Sequence, residues 1–294
     1  MILPDFDVIL CVSEDHIELS KISIKNLRKF TRADNIYVIT SEKNFSSFES
    51  INQENINLLD EDSIIEGINF DFLEKDLVSR IGTGNRTGWY YQQFLKIGFS
   101  RLCSDKKYYL IWDSDTILLN DLEFFESDGK TFITRKEEYH TPYFRTLKNL
   151  FGFDRVTQYS FISENLMINA DLMNKMIKEI SLLDPKKHWV TNILDSIDEK
   201  DLLIAGFSEY ETYGNYVFKY NRNEFVVRDL KTMRKGAKYF GNFPNNYDLY
   251  YLKNKNYIYV TFEKYHRRKL RPLLFKSIAA LSYFIKIERQ RITF

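Results

Sequence analysis

Residues 107–116, Lys-Tyr-Tyr-Leu-Ile-Trp-Asp-Ser-Asp-Thr, constrain this chain more than any other stretch. Tyr108 to Trp112 form an unbroken apolar and aromatic run, which predicts a buried strand. Asp113 and Asp115 follow at its C-terminal end, where ligands sit in open α/β sheets. Carboxylates at i and i+2 can both reach one hard cation. A cation held by few protein ligands keeps positions open for phosphate oxygens and can neutralise a diphosphate leaving group. The plain alternative is a turn after a buried strand. The apolar strand before the pair, Thr116-Ile-Leu-Leu-Asn-Asp after it, and its mid-chain place favour a site.

The chain around this stretch reads as α/β. Phe6-Asp-Val-Ile-Leu-Cys-Val predicts a first strand, Ile17 to Phe30 an amphipathic helix, and Asn35-Ile-Tyr-Val-Ile-Thr a second strand. Strand, helix, strand at this length is a βαβ unit of a parallel sheet. The loop after the first strand, at Val12 and Ser13, should then touch a nucleotide at the carboxyl edge. Residues 41–75 are polar and irregular, with short elements at Ile56–Leu59 and Ile64–Ile68. Further strands are predicted at 131–134, 225–227 and 257–262, and helices at 171–183 and 187–197. His140 falls in a predicted loop, and Pro244-Asn-Asn marks another.

Two stretches carry further polar chemistry. Gly82-Thr-Gly-Asn-Arg-Thr-Gly lacks the Gly-Lys-Ser/Thr ending of a phosphate-binding P-loop, so a flexible loop is its plain reading. The helix after it places Gln92, Lys96 and Phe99 on one face and Trp89, Gln93 and Ile97 on a neighbouring stripe. Lys96 either snorkels at the surface or, with Arg86 and Gln93, reaches a donor near the metal. In Gly206-Phe-Ser-Glu-Tyr-Glu-Thr-Tyr-Gly-Asn-Tyr, Ser208 and Glu211 fit a capping box. That leaves Glu209 in the first helical turn, where it can be held ionised and aimed at a substrate hydroxyl. On this reading Glu209→Gln keeps the melting temperature and loses turnover, and Glu211 is the alternative base. Glu164 and Asn165, polar within an apolar run, need partners and could face a ligand.

Composition narrows the class. An apolar share of 44% supports a sizeable core, and 42 Lys and Arg against 41 Asp and Glu give no electrostatic case for nucleic acid. Cys11 and Cys103 lie in apolar stretches and read as buried thiols of a reducing cytosol. No His/Cys spacing suggests zinc, and neither a signal peptide nor a membrane span is read. Residues 263–294 carry nine Lys or Arg and two acidic residues, Glu263 and Glu288. Lys264, Arg267, Arg268, Lys269 and Arg271 precede Leu273, Leu274, Ile278, Leu281 and Phe284 at helical spacing. This basic amphipathic helix suits an anionic membrane surface, and packing on the core is the alternative.

Gly88-Trp-Tyr-Tyr-Gln-Gln-Phe-Leu-Lys, Trp112-Asp-Ser-Asp-Thr and Phe207-Ser-Glu-Tyr-Glu-Thr-Tyr-Gly-Asn-Tyr together resemble the bacterial DUF6492 group, which looks like A-type (GT-A) nucleotide-sugar glycosyltransferases. The resemblance implies a Rossmann-like mixed sheet flanked by helices over residues 1–262, with 263–294 as the amphipathic tail. It implies Mn2+ or Mg2+ on Asp113 and Asp115, with His266 as the late histidine of such sites. The donor would be a nucleotide-diphosphate sugar, expected to be a UDP-sugar, held by Val12, Ser13, Arg86, Gln93, Lys96, Asp113, Ser114 and Asp115. The implied enzyme is an inverting hexosyltransferase with Glu209 or Glu211 as base. Its acceptor would be a saccharide or lipid-linked saccharide of surface polysaccharide or lipopolysaccharide (O-antigen) synthesis. It would work in the cytoplasm, peripherally on the inner face of the plasma membrane.

Two rival readings remain. Asp113-Ser-Asp-Thr-Ile fits the nucleophile motif of haloacid-dehalogenase-type phosphatases. That motif follows the first strand of its domain, however, and here it follows at least two. The later Gly-Asp or Asp-Asp metal motif of those enzymes does not occur in this chain. The other rival is a non-catalytic sugar- or membrane-binding scaffold, against which both motif carboxylates are present.

Overall fold

A computed structural model describes residues 3–51, 55–103, 105–266, 277–281 and 283. The chain forms two compact units, each assembled from separated stretches: Met1–Ser13, Ala33–Trp112 and Phe124–Arg228 in the first, Glu14–Arg32, Asp113–Glu123 and Asp229–Phe294 in the second.

The first unit is built on a five-stranded mixed sheet of order β3-β2-β1-β4-β7. Strands β1 (Phe6–Cys11), β2 (Ile36–Thr40), β3 (Ile56–Asp60) and β4 (Tyr108–Trp112) run parallel, and β7 (Asn165–Asn169) lies antiparallel to β4. Every residue of β1, β4 and β7 is buried, as expected of central strands covered on both faces. Helices α2 (Phe70–Ile81), α3 (Thr87–Gly98), α4 (Thr141–Phe151), α5 (Ala170–Ser181), α6 (Trp189–Asp195), α7 (Glu199–Leu202) and α8 (Glu209–Asn221) flank it, and β6 (Thr131–Thr134) pairs in parallel with β8 (Phe225–Arg228). One continuous core joins Ile9, Ile111 and Ile168 of the sheet to Phe94, Trp189, Phe207 and Tyr213 of the helices. Gly214 is a packing requirement: a Cβ there would lie 2.2 Å from the Phe161 ring.

The second unit holds α1 (Ile17–Phe30), a three-stranded sheet of order β5-β10-β9, and helices α9 (Gly236–Phe240) and α10 (Asn246–Asn254). Strand β10 (Tyr259–Thr261) runs antiparallel to β5 (Thr116–Leu118) and parallel to β9 (Thr232–Met233). Ser23 Oγ donates to Thr116 O and Asn26 Nδ2 to Leu118 O, both at 2.6 Å, so α1 is tied to β5 by side chains. Leu19, Ile117, Phe240, Leu252, Val260 and Phe262 form its core.

The mixed α/β sheet flanked by helices matches the expected fold class, and the parallel pairing of β1 with β2 is as predicted. Five helices, α2, α4, α7, α9 and α10, were not anticipated. Within the segment taken as irregular, α2 is set by Asn69, whose side chain accepts from Phe72 N, and by Gly82, whose φ of 72° closes it in the left-handed region. The glycine loop is thus in part a helix stop. His140 lies in a loop as read, at its last position before α4, and Pro142 sits in that helix's first turn. Asn245 and Asp248 form a full capping box that starts α10 where a loop was read.

Arg267, Arg268, Lys269, Arg271, Leu273, Leu274 and Phe284 of the proposed tail helix lie outside the described residues. Residues 277–281 are helical, with Ala279 buried and Ile278 and Leu281 exposed. Among the described residues no helix is long and apolar enough to cross a membrane.

Candidate functional site

The strand order reverses between β1 and β4, and such a switch point leaves a crevice at the carboxyl ends of the two strands. Val12 follows β1 directly. Its N–H donates to Ile39 O at 2.8 Å and its carbonyl accepts from Thr40 Oγ1 at 2.7 Å, so its backbone is fully used in holding the edge. Ser13 is exposed. Helix α3 is attached to the same sheet by Tyr109 of β4, whose hydroxyl donates to Lys96 O at 2.9 Å.

Helix α3 brings two of the sequence motifs together. Gln93 Oε1 accepts from Glu209 N at 3.2 Å, and Lys96 Nζ lies 2.7 Å from Glu209 Oε1. The side chains of Lys96 and Glu209 are only 3% and 1% exposed. Lys96 also sits 4.7 Å from the centroid of the Tyr210 ring, a cation–π contact that adds to the pair. Lys96 therefore does not snorkel to the surface. A lysine stem long enough to cross the helix interface ends on a carboxylate in the first turn of α8, where the helix dipole also favours negative charge.

The approach to α8 is equally fixed. Tyr90 OH lies 3.3 Å from the carbonyls of Asp201 and Leu202 and accepts from Gly206 N at 3.1 Å. Thr146 Oγ1 donates to Gly206 O at 2.7 Å. Buried Asp201 receives Arg145 through Nε at 2.9 Å and through Nη2 at 2.6 Å, a bidentate pair. Sequence reading missed this support because its members come from α3, α4 and α7, far apart in the chain. Arg86, the residue before α3, is half-buried.

Ser208 caps α8, accepting from Glu211 N at 3.3 Å. The reciprocal arm expected of Glu211 is diverted. Glu211 Oε1 accepts from Ser160 Oγ at 2.5 Å and Oε2 from Asn215 Nδ2 at 3.1 Å. Burial pushes the Glu211 carboxyl up to about 7, against the opposing effects of the Ser160 hydroxyl and the Arg155 charge. A carboxyl raised above its ordinary 4.5 keeps its proton longer folded than unfolded. Its penalty on stability is thus absent below about pH 4.5 and complete above about pH 7. Relative to Glu211→Gln, the wild type is expected to lose roughly 3 kcal/mol of unfolding free energy between pH 5 and pH 8. Urea titrations at several pH values measure this, and parallel stability–pH curves for the two proteins would refute it.

Glu164 lies in a tight turn just before β7. Asn165, the next residue, pairs with Trp112, so Glu164 stands at the carboxyl end of β4. It is 2% exposed, has φ 61°, and its Oε2 is 3.6 Å from Lys136 Nζ.

In the second unit, Asp113 and Asp115 are half-buried on either side of buried Ser114. The turn is held by backbone: Thr116 N donates to Asp113 O and Phe262 N to Asp115 O, each at 2.9 Å. His266 Nδ1 is 2.9 Å from Glu263 Oε2, and Glu263 also receives Arg234 Nε at 2.7 Å. Among the described residues no three His, Cys, Asp or Glu side chains converge on one point. Two hard carboxylates on one rigid turn fit a cation of the Mg2+ or Mn2+ kind that completes its shell with substrate oxygens and water. They do not fit a closed structural metal site. The pair follows the fourth strand of the sheet, not the first.

Residues 7–239 match the family described as "Family of unknown function (DUF6492)". No curated protein matches. Among solved structures, the chain is similar to mouse xyloside xylosyltransferase 1, at 10% identity over 90% of this chain and 99% of that one, with a TM-score of 0.49. It is also similar to the galactosyltransferase LgtC in complex with donor and acceptor sugar analogues, at 12% identity over 94% and 95%, TM-score 0.49. A third similarity is to the glycosyltransferase GlyE of Streptococcus pneumoniae TIGR4, at 13% identity over 96% of this chain and 64% of that one, TM-score 0.45.

Proposed function

The chain belongs to the DUF6492 family, and from that premise we propose that it is a GT-A-type glycosyltransferase that takes a sugar from a nucleotide-diphosphate donor. One observation carries the reading: a rigid turn with two half-exposed carboxylates, Asp113 and Asp115, directly follows the strand that borders the switch point of the sheet. The loop at Val12 and Ser13 would contact the nucleotide, and Arg86, the residue before α3, would serve as a cation for the donor. Asp113 and Asp115 would hold Mn2+ or Mg2+, which when bound supplies positive charge to the departing diphosphate. His266 is the candidate third ligand, with Glu263 orienting its ring as carboxylates do for metal-bound imidazoles.

An inverting course would ask a carboxylate to take the acceptor's proton. Glu209 shares its charge with Lys96, and Glu211 is held by Ser160 and Asn215. The geometry therefore supports a scaffolding role for both, with Gln93 and Lys96 as their supports and not donor contacts. The acceptor class we propose is a saccharide or lipid-linked saccharide of bacterial surface polysaccharide. The nine Lys or Arg of residues 263–294 support peripheral contact with an anionic membrane face.

The test is titration of UDP, GDP, ADP and CDP with and without Mn2+, by calorimetry or thermal shift. Metal-dependent binding of one nucleotide is expected. Indifference to all four in the presence of Mn2+ would overturn the reading.

A further inference from the structure

The second unit holds a cavity of about 370 Å3, lined by the rings of Tyr239, Phe240, Tyr251 and Tyr257 together with Lys231 and Lys255. A cavity of this size suits a small ligand. Its two ammoniums are fixed in place. Lys231 Nζ donates to Lys255 O at 2.6 Å and lies 4.8 Å from the centroid of the Tyr257 ring. A lysine that merely shields apolar surface turns its head out to water. This one is turned back onto two residues of the cavity wall. Lys255 Nζ lies 5.7 Å from the centroid of the Tyr251 ring, a second cation–π contact. No Asp or Glu lines the cavity, and among the described residues neither ammonium has a carboxylate partner. The hydroxyls of Tyr251 and Tyr257 likewise make no hydrogen bond to protein among the described residues. The surrounding charge has the same sign. Between residues 229 and 257 six Lys or Arg stand against two aspartates. One of these, Asp248, is buried and spent in the capping box of α10.

Within its unit the cavity is separate from the carboxylate turn. Ile258 N donates to Lys231 O and Asn120 Nδ2 to Tyr257 O, each at 2.8 Å, which sets Lys231 and Tyr257 at the start of β10. Phe262 N meets Asp115 O at the other end of that strand. The extended chain from Tyr257 to Phe262 spans roughly 16 Å. We propose that the cavity is a second saccharide site, which takes an acidic sugar unit of the acceptor chain away from the unit that reacts. The rings give apolar surface to the C–H face of a pyranose, and the tyrosine hydroxyls bond to its alcohols. The two ammoniums, held by ring faces and a backbone carbonyl, take the sugar's carboxylate through charge-assisted hydrogen bonds. A neutral sugar gains nothing from the ammoniums, and a bare anion gains nothing from the rings. The assignment rests on the transferase reading for its saccharide and adds a grip on the acceptor remote from the reacting bond.

The experiment titrates the full chain by calorimetry, without nucleotide. Trigalacturonate and a hyaluronan tetrasaccharide are the acidic probes, maltotriose is the neutral one and inorganic phosphate the bare ion. At least one acidic probe is expected to bind, more weakly as salt rises, with maltotriose and phosphate about tenfold weaker or worse. The double variant Lys231→Met/Lys255→Met keeps the apolar stems and should weaken the acidic probe about tenfold or more, as should Tyr257→Leu. Melting curves confirm that the variants are folded. Lys231 and Lys255 are exposed, so the lysine pair decides the matter should Tyr257→Leu fail to fold. Binding of neither acidic probe, equal binding of maltotriose or phosphate, or unchanged affinity in the folded variants would overturn the site and leave the transferase reading standing. Wild-type protein that binds an acidic probe but no nucleoside diphosphate with Mn2+ would remove the transferase reading and leave the saccharide site.

Discussion

Glu209→Gln is expected to lower the free energy of unfolding by about 3–5 kcal/mol, because it strips the carboxylate from a buried ammonium. The wild-type pair spans 2.7 Å with side chains 3% and 1% exposed. The amide keeps the shape and can still accept from Lys96, but it carries no charge to balance the cation. Lys96→Met should cost a similar amount for the mirror reason. The double variant Lys96→Met/Glu209→Leu should recover a large part of the loss, since replacing a whole buried pair by apolar groups is often neutral. Gln93 would still accept from residue 209 N in every variant, because that bond uses backbone. Urea denaturation of the four proteins measures these differences. This reverses the sequence-based expectation that Glu209→Gln would leave the melting temperature alone and remove only turnover. A Glu209→Gln protein of wild-type stability with little activity would restore Glu209 as the base and sink the scaffolding role.

The difference between the two expectations shows what the sequence could and could not convey. The strand at Tyr108–Trp112 was legible because five apolar residues in a row have few other fates, and it is observed with those bounds. The helix at Ile17–Phe30 was legible from its spacing. The motif around Gln93 and Lys96 and the one around Ser208 and Glu211 were each visible as unusual. Their partnership was not, since 113 residues separate Lys96 from Glu209 and nothing local signals an ion pair across a helix interface. With the partner unknown, the sequence leaves Lys96 to the surface or to a donor contact and Glu209 to catalysis. The structure joins the two residues in one buried contact.

Glu211 fails to close its box for a related reason. The capping-box pattern is a local rule, and it competes with tertiary partners. Ser160 and Asn215 offer Glu211 hydrogen bonds that satisfy both oxygens in a buried setting, and they win. Helices α2 and α10 were hidden differently. Their buried faces are narrow, with only Leu73 and Leu77 buried in α2 and only Asp248 and Leu252 in α10. The apolar period is then too weak to detect, while the caps at Asn69 and Asn245 were there to be read. The left-handed backbone at Glu164 has no sequence signature at all, since the residue is one that conformation normally excludes.

Asp113→Asn and Asp115→Asn are each expected to abolish metal-dependent nucleotide binding and to reduce sugar transfer by about 10³-fold or more, the loss of several kcal/mol of charge stabilisation. Both should melt within about 2 °C of the wild type, as partly exposed positions usually allow. The local structure explains why. The turn is fastened through the carbonyls of Asp113 and Asp115, which accept from Thr116 N and Phe262 N, and asparagine keeps both carbonyls. Buried Ser114 and the Thr116–Thr261 hydroxyl contact at 2.9 Å are likewise untouched. What changes is the charge offered to a hard cation: a neutral amide oxygen is a weaker ligand, and a site with two protein carboxylates has none to spare. The two variants also separate the transferase from a phosphatase. In a phosphatase Asp113 is the nucleophile, so only its substitution would prevent a trapped phospho-enzyme. In the transferase no phospho-enzyme forms, and both substitutions act alike on metal-dependent binding. Calorimetry with Mn2+ and nucleoside diphosphate, set beside melting curves, reads both quantities. Wild-type binding and turnover in the two variants would take the metal-bearing turn, and the transferase reading with it, out of consideration.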